Sequence, residues 1–166
     1  MRDILGKFEA IARRAHLHTD SEGREEGSQH PFDIRNIHDA FPSEVQTLFD
    51  NGHYAQATFE AFKFIDKAVQ GLAKLSETGF KLMMQAFSET SPLISLTPCS
   101  SVSEKDEQKG YQFLFAGSML AVRNPRGHDL VRDTPDECLD HLALASTLLR
   151  RLEKARFFDP LTDRPS

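Results

Sequence analysis

Residues 110–128 read GYQFLFAGSMLAVRNPRGH. The segment 111–122 carries no charged residue and is apolar nearly all round, the pattern of a helix buried on most of its sides. Within it, Ala116, Gly117 and Ser118 form a small-residue belt that lets a neighbouring backbone approach closely. Packing accounts for Gly117 better than any catalytic role. The last six residues, Arg123-Asn124-Pro125-Arg126-Gly127-His128, bring two cations, an amide and an imidazole to the end of this apolar run. Pro125 has no N–H and disfavours helical geometry at Asn124, so the helix is expected to end or kink near Arg123. Asn is a favoured N-cap and Pro a favoured first helical residue, so Asn124-Pro125 is expected to stop one helix and start another turn. Arg123 then projects from the break, with His128 about one turn beyond it.

Working outward, the segment after the hexapeptide is a long amphipathic helix. Thr134, Pro135 and Glu137 supply an N-cap, a pre-organised first residue and a capping-box partner. Leu139, Leu142, Ala143, Ala145, Ser146, Leu149 and Leu152 make its apolar face, and Phe157-Phe158-Asp159-Pro160 closes the body. Before the apolar run, Glu104, Asp106 and Glu107 favour the positive end of a helix beginning near 104. Residues 92–109 (PLISLTPCSSVSEKDEQK) form the longest irregular stretch, on which Leu93, Ile94 and Leu96 are expected to tuck onto the core. A mixed fold built around 93–96 is the alternative, but such a strand has no evident partner. Residues 80–87 read as a short helix. Residues 53–75 read as a long one with Tyr54, Ala57, Ala61, Phe64, Ile65, Ala68, Val69 and Leu72 as the buried stripe. Asn51-Gly52 ends a helix over 43–50, and 36–41 is ambiguous.

Residues 3–16 carry Ile4, Phe8, Ile11, Ala12 and Ala15 at helical spacing, and 19–29 (TDSEGREEGSQ) have no apolar residue. The organisation expected is an N-terminal helical arm and flexible linker over 1–29, a helical domain over 30–158 and a tail over 159–166. The fold class expected is all-α, a bundle of four to six helices with mostly short connections.

Composition narrows the function. At 166 residues, 39% hydrophobic and 27% charged, with 13 Phe and no Trp, the chain suits one globular domain with a Phe/Leu/Ala core. No apolar run reaches the ~18 residues of a membrane span. The N-terminus lacks the uninterrupted apolar region of a secretory signal, so the expected setting is cytoplasmic. Cys99 and Cys138 fit no metal or redox spacing and read as two reduced thiols. A net charge of -5 argues against bulk coating of nucleic acid. Positive charge nevertheless gathers at Lys109, Arg123, Arg126 and Arg132, and again at Arg150, Arg151, Lys154 and Arg156.

Arg123 and His128 together suit a phosphodiester. Imidazole transfers protons near neutral pH, and guanidinium offers a permanently charged fork of donors to phosphate. His128 is placed to deprotonate an RNA 2′-hydroxyl or protonate the leaving 5′-oxygen, while Arg123 stabilises charge on the pentacoordinate phosphorus. The products would be a 2′,3′-cyclic phosphate and a 5′-hydroxyl, with no metal or cofactor required. On spacing alone, a capping Asn between two surface cations is the favoured explanation of these residues.

The pattern Arg123-Asn124-Pro125-Arg126-Gly127-His128 resembles the Arg-polar-x3-His motif of HEPN-domain ribonucleases. The wider context is similar to the Ymh/Abi-like conserved hypothetical family. The segments that carry this likeness are LFDNGHYAQATFEAFK (48–63), GFKLMMQAFS (79–88), GYQFLFAGSMLAVRNPRGH (110–128) and LALASTLLRRL (142–152). The resemblance implies a HEPN-like bundle that dimerises into a composite cleft. It also implies metal-independent RNA cleavage in toxin or antiviral defence systems, with a possible antitoxin or defence partner. By position it makes Arg123 and His128 catalytic and Asn124 supporting. Arg126 falls in a variable slot, consistent with a solvated cation or a weak substrate contact. Glu60 and Lys63 lie on the helix that often lines the cleft and are secondary candidates for substrate binding.

The competing function is a non-catalytic module of the same kind that binds a partner protein or nucleic acid. A metal enzyme built on His16 and His18 lacks supporting ligands. His38, His53 and His141 are expected to be helix-surface or packing residues.

Overall fold

The computed structural model describes residues 29–155. The arm and linker, His16 and His18, the closing segment from Phe157 and the tail lie outside the described residues. What is described is an all-α bundle: α1 (Pro31–Ile34), α2 (Ser43–Asp50), α3 (Tyr54–Ala73), α4 (Gly79–Ala86), α5 (Val102–Ser118), a π turn (Met119–Arg123), α6 (Asn124–His128) and α7 (Pro135–Ala155). No strand occurs among the described residues, so the stretch around 93–96 joins no sheet. Nor is any described helix long and apolar enough to cross a membrane.

The bundle is organised on α3, against which α2, α4, α7, the π turn and α6 all pack. Its buried face is Ala57, Thr58, Ala61, Phe62, Ile65, Asp66 and Val69. Ala57, Ala61, Ile65 and Val69 are buried as expected, and the face as a whole is turned from the expected stripe by roughly 50°, about half a residue of helical phase. Leu72 is exposed and Phe64 only half-buried, while Phe62 is fully enclosed. Thr58 and Asp66 disguise the phase in the sequence, since both are polar and both are buried for specific partners. Thr58 Oγ1 donates to Cys138 Sγ at 3.5 Å, and Asp66 Oδ1 accepts from the Gly79 N–H at 2.7 Å. Helix α3 ends where Lys74 turns left-handed at φ 53°. Gln70 then holds the 74–78 connection by donating to the Ser76 and Glu77 carbonyls.

Both long late helices begin with reciprocal caps. Thr134 and Glu137 form the expected capping box: the Glu137 N–H donates to Thr134 Oγ1 at 3.2 Å, and the Thr134 N–H to Glu137 Oε2 at 2.8 Å. These bonds to Thr134 hold the Glu137 carboxyl below its ordinary value. A second box, Ser101 with Glu104, starts α5 two residues earlier than the acidic run suggested. Helix α5 is not buried on most sides as expected. Phe115, Ala116, Ser118 and Met119 face the core, but Phe113, Leu114 and Leu120 are about half exposed. A Cβ added at Gly117 would meet nothing within 4 Å among the described residues, so no neighbouring backbone packs against that side as expected.

The irregular stretch is pinned from α5. Ile94 and Leu96 are buried as expected, whereas Leu93 is 54% exposed. Gln108, fully buried, accepts the Leu96 N–H at 2.8 Å and donates to the Phe87 and Ile94 carbonyls at 3.2 and 3.1 Å. One side chain thus satisfies three buried backbone groups of a segment with no ladder of its own. Gln108→Ala is expected to lower unfolding free energy by about 3 kcal/mol, because each stranded group costs about 1–3 kcal/mol. Urea denaturation of wild type and variant measures this.

Candidate active site

The hexapeptide does not break the helix. Arg123 (φ −71°, ψ −48°) and Asn124 (φ −64°, ψ −45°) keep right-handed helical geometry, so α5, the π turn and α6 form one continuous rod. The expected stop at Asn124 is therefore corrected, and the physical reason is the π turn. The Asn124 N–H reaches back five residues to the Met119 carbonyl. The wider turn brings Pro125 into the first turn of α6, where no backbone donor is needed, and gives its ring room from the preceding carbonyls. Such turns insert one extra residue and recur at functional sites. Met119 and Val122 stay buried while Leu120 and Ala121 face outward.

Continuity also fixes where the side chains leave. Five α-helical steps separate directions by roughly 140° and positions by roughly 7.5 Å. A break does not turn Arg123 and His128 out together, and along the rod they leave it in different directions. His128 is exposed, at the last position of α6. Arg123 is half-buried, and its guanidinium carbon lies 5.5 Å from the centre of the Phe59 ring. Its Nη1 donates to Asn124 Oδ1 at 3.2 Å. A Cβ added at Gly79 would stand 4.0 Å from the same nitrogen, so the fork reaches the start of α4. Its Nε is buried with no hydrogen-bond partner among the described residues, and no described carboxylate lies within 4.0 Å of the guanidinium. Such an unmet donor costs about 1–3 kcal/mol.

Arg126 differs in every respect. It is not a solvated cation: its side chain is 7% exposed against 3% for Asp133, with which it forms a two-pronged ion pair. Nε donates to Asp133 Oδ2 at 2.7 Å and Nη2 to Oδ1 at 2.6 Å. Nη1 donates to the Val122 carbonyl at 2.7 Å, and Nη2 lies 3.3 Å from His141 Nδ1. With four of its five donors committed, Arg126 has little left to offer a substrate. Glu60 and Lys63 come together as an ion pair, with Lys63 Nζ 2.9 Å from both carboxylate oxygens. Lys63 Nζ also stands 5.9 Å from the Phe59 ring centre, so two cations share one aromatic ring.

Phe59 does not stand out in the sequence. Its one visible signal is its place one residue before Glu60 and one turn before Lys63, at the edge of the polar face. It is a pedestal for the site: Arg123 lies over it, and a Cβ at Gly127 would come within 2.9 Å of its Cε2. Beside these residues, Gly52, His53, Tyr54, Gln56, Asp129 and Leu130 border an open pocket of about 370 Å³ that Arg126 also lines. No group of three or more His, Cys, Asp or Glu side chains is placed to hold a metal among the described residues.

A family described as "Protein of unknown function (Hypoth_ymh)" matches residues 35–152. The chain belongs to this family. The match takes in α2 through most of α7, and so every residue of the candidate site. No curated protein and no solved structure matches the chain.

The contact between Gly127 and Phe59 reverses the usual sign of a helical substitution. Gly→Ala inside a helix ordinarily stabilises by about 1 kcal/mol. Gly127→Ala is expected instead to destabilise by about 1–2 kcal/mol through overpacking, and to become neutral or stabilising in a Phe59→Ala background. A double-mutant cycle by thermal denaturation checks the coupling.

Proposed function

We propose that this member of the Hypoth_ymh family is a metal-independent RNA endonuclease of the HEPN type, with Arg123 and His128 as its catalytic residues. The observation that carries the reading is the state of Arg123. It is a half-buried guanidinium, fixed by Phe59 and Asn124, uncompensated by any nearby described carboxylate and holding an unmet Nε donor. A phosphate supplies the missing charge and can accept from the Nη donors that Asn124 leaves free. Asn124 orients the fork, and Arg123 stabilises the dianionic phosphorane. His128, exposed at the end of α6, exchanges protons with the 2′-hydroxyl and the leaving oxygen.

The same geometry favours a composite cleft. Along one rod Arg123 and His128 leave in different directions, so a second copy completes the surroundings of a phosphate. The half-exposed Phe113, Leu114 and Leu120, with open space at Gly117, form an apolar face on the rod that carries the motif. A twofold dimer through that face brings two motifs together and makes the net charge of -5 tolerable, because binding is local. Lys63 is a secondary contact for the RNA backbone. The biological setting that fits such an enzyme is a toxin or defence effector in the cytoplasm, held in check by a partner.

The test is incubation of the purified full chain with structured and unstructured RNAs in excess EDTA. Wild type is expected to leave 2′,3′-cyclic phosphate ends, with Arg123→Ala and His128→Ala each slower by at least about a hundredfold. Equal cleavage by wild type and His128→Ala overturns the assignment. RNA retained but uncut by a folded dimer favours the non-catalytic binding module instead.

A further inference from the structure

We propose that Arg126, Asp133 and His141 form a positioning clamp that holds α6, and with it Arg123 and His128, in a fixed orientation against α7. The functional side of this inference rests on the reading of Arg123 and His128 given above; the clamp itself rests on geometry alone. Arg126 projects from the middle of α6, and His141 is on the second turn of α7. Asp133 lies in the connection between the two helices, a segment without regular structure that leaves α6 in extended geometry at Asp129. The Arg126 fork takes both Asp133 oxygens, and its remaining contacts close onto the Val122 carbonyl in the π turn and onto His141 Nδ1. Three pieces of chain, the π turn, the connection and α7, therefore meet on one guanidinium. At 7% and 3% exposure the pair is shielded from water, so its geometry is enforced more strictly than that of a surface ion pair.

His141 makes the clamp sensitive to protons. Arginine has only donors, so a nitrogen facing Arg126 must accept, which fixes His141 as neutral with its proton on Nε2. The charged groups around it are Arg126 from α6, Asp133 from the connection, and Glu137 and Asp140 from its own helix. Burial first, and then the Arg126 charge, hold its pKa below the ordinary 6.5. A depressed folded value means that the neutral, clamped form is complete above about pH 6.5 and is lost as pH falls through that lower value. Once protonated, His141 no longer accepts from Arg126 and competes for Asp133 Oδ2, which is 4.0 Å from Nδ1.

Amide hydrogen exchange on the full chain, without RNA, tests this separately from any nuclease activity. The readout is the protection factor at Gly127, His128 and Asp129, referred to core amides of α3. In wild type the α6 protection is expected to fall by about tenfold between about pH 7.5 and about pH 5 while the α3 core holds. His141→Asn, whose amide oxygen takes the Nδ1 position and gains no proton, is expected to flatten that profile. Asp133→Asn, which turns an NH2 toward the fork, is expected to lower α6 protection at every pH. Should Asp133→Asn fail to fold, the His141→Asn profile decides alone. The clamp is overturned if α6 protection in wild type and His141→Asn follows the same pH profile, or if α6 and α3 lose protection together.

Discussion

Pro125 removes one backbone donor from the middle of a helical rod, and the chain answers by widening the turn before it. That π turn lets α5 continue into α6 in spite of the proline. It also sets the rotational phase of everything after it. With this phase Arg126 falls over Asp133, Gly127 falls against Phe59, and His128 reaches the surface. A true break would release α6 from α5 and leave its direction to a five-residue helix, too short to hold itself. The rod instead carries the rigidity of α5, whose Phe115 stacks on Phe87 with ring centres 4.4 Å apart, as far as the motif.

Two arginines three residues apart then take opposite roles. Arg126 is buried, paired in two prongs and committed to the π turn and α7. Arg123 is fixed by an aromatic ring and an amide, with no described carboxylate close enough to neutralise it. A half-buried cation without a carboxylate is costly unless something anionic visits it. This contrast in partners, more than the number of basic residues, sets Arg123 apart as the residue for an oxyanion. Cation–π contact with Phe59 offsets part of the cost and leaves the charge available.

Much of this is legible in the chain. The Thr134–Glu137 cap, the helix stop at Gly52 and the burial of Ile94 and Leu96 follow from local rules that tertiary packing does not override. The phase of α3 is only partly legible: Ala57, Ala61, Ile65 and Val69 show it, but Thr58 and Asp66 look like surface residues until Cys138 and Gly79 are brought to them. Gln108 and the Arg126–Asp133 pair are hidden for the same reason: each is a polar residue made inward by a partner whose position only the fold sets. The rule that proline ends helices fails at Pro125 because an extra residue in the turn satisfies the same steric constraint. Arg123, Asn124 and His128 stand out by type and spacing, but Phe59 does not, since its importance comes from the helix that lies across it.

The proposed site requires two copies of the motif to face one another across a twofold axis. The most direct measurement is the distance between spin labels attached at position 129 in an Asp129→Cys, Cys99→Ser variant, read by pulsed dipolar spectroscopy. Cys138 does not interfere, because it is buried and its thiol pKa is pushed up to about 11. The expected result is a dimer with a sharp intermolecular separation of about 20 Å, two helix diameters. A protein that stays monomeric, or labels separated by more than about 35 Å, the diameter of a domain this size, would contradict it.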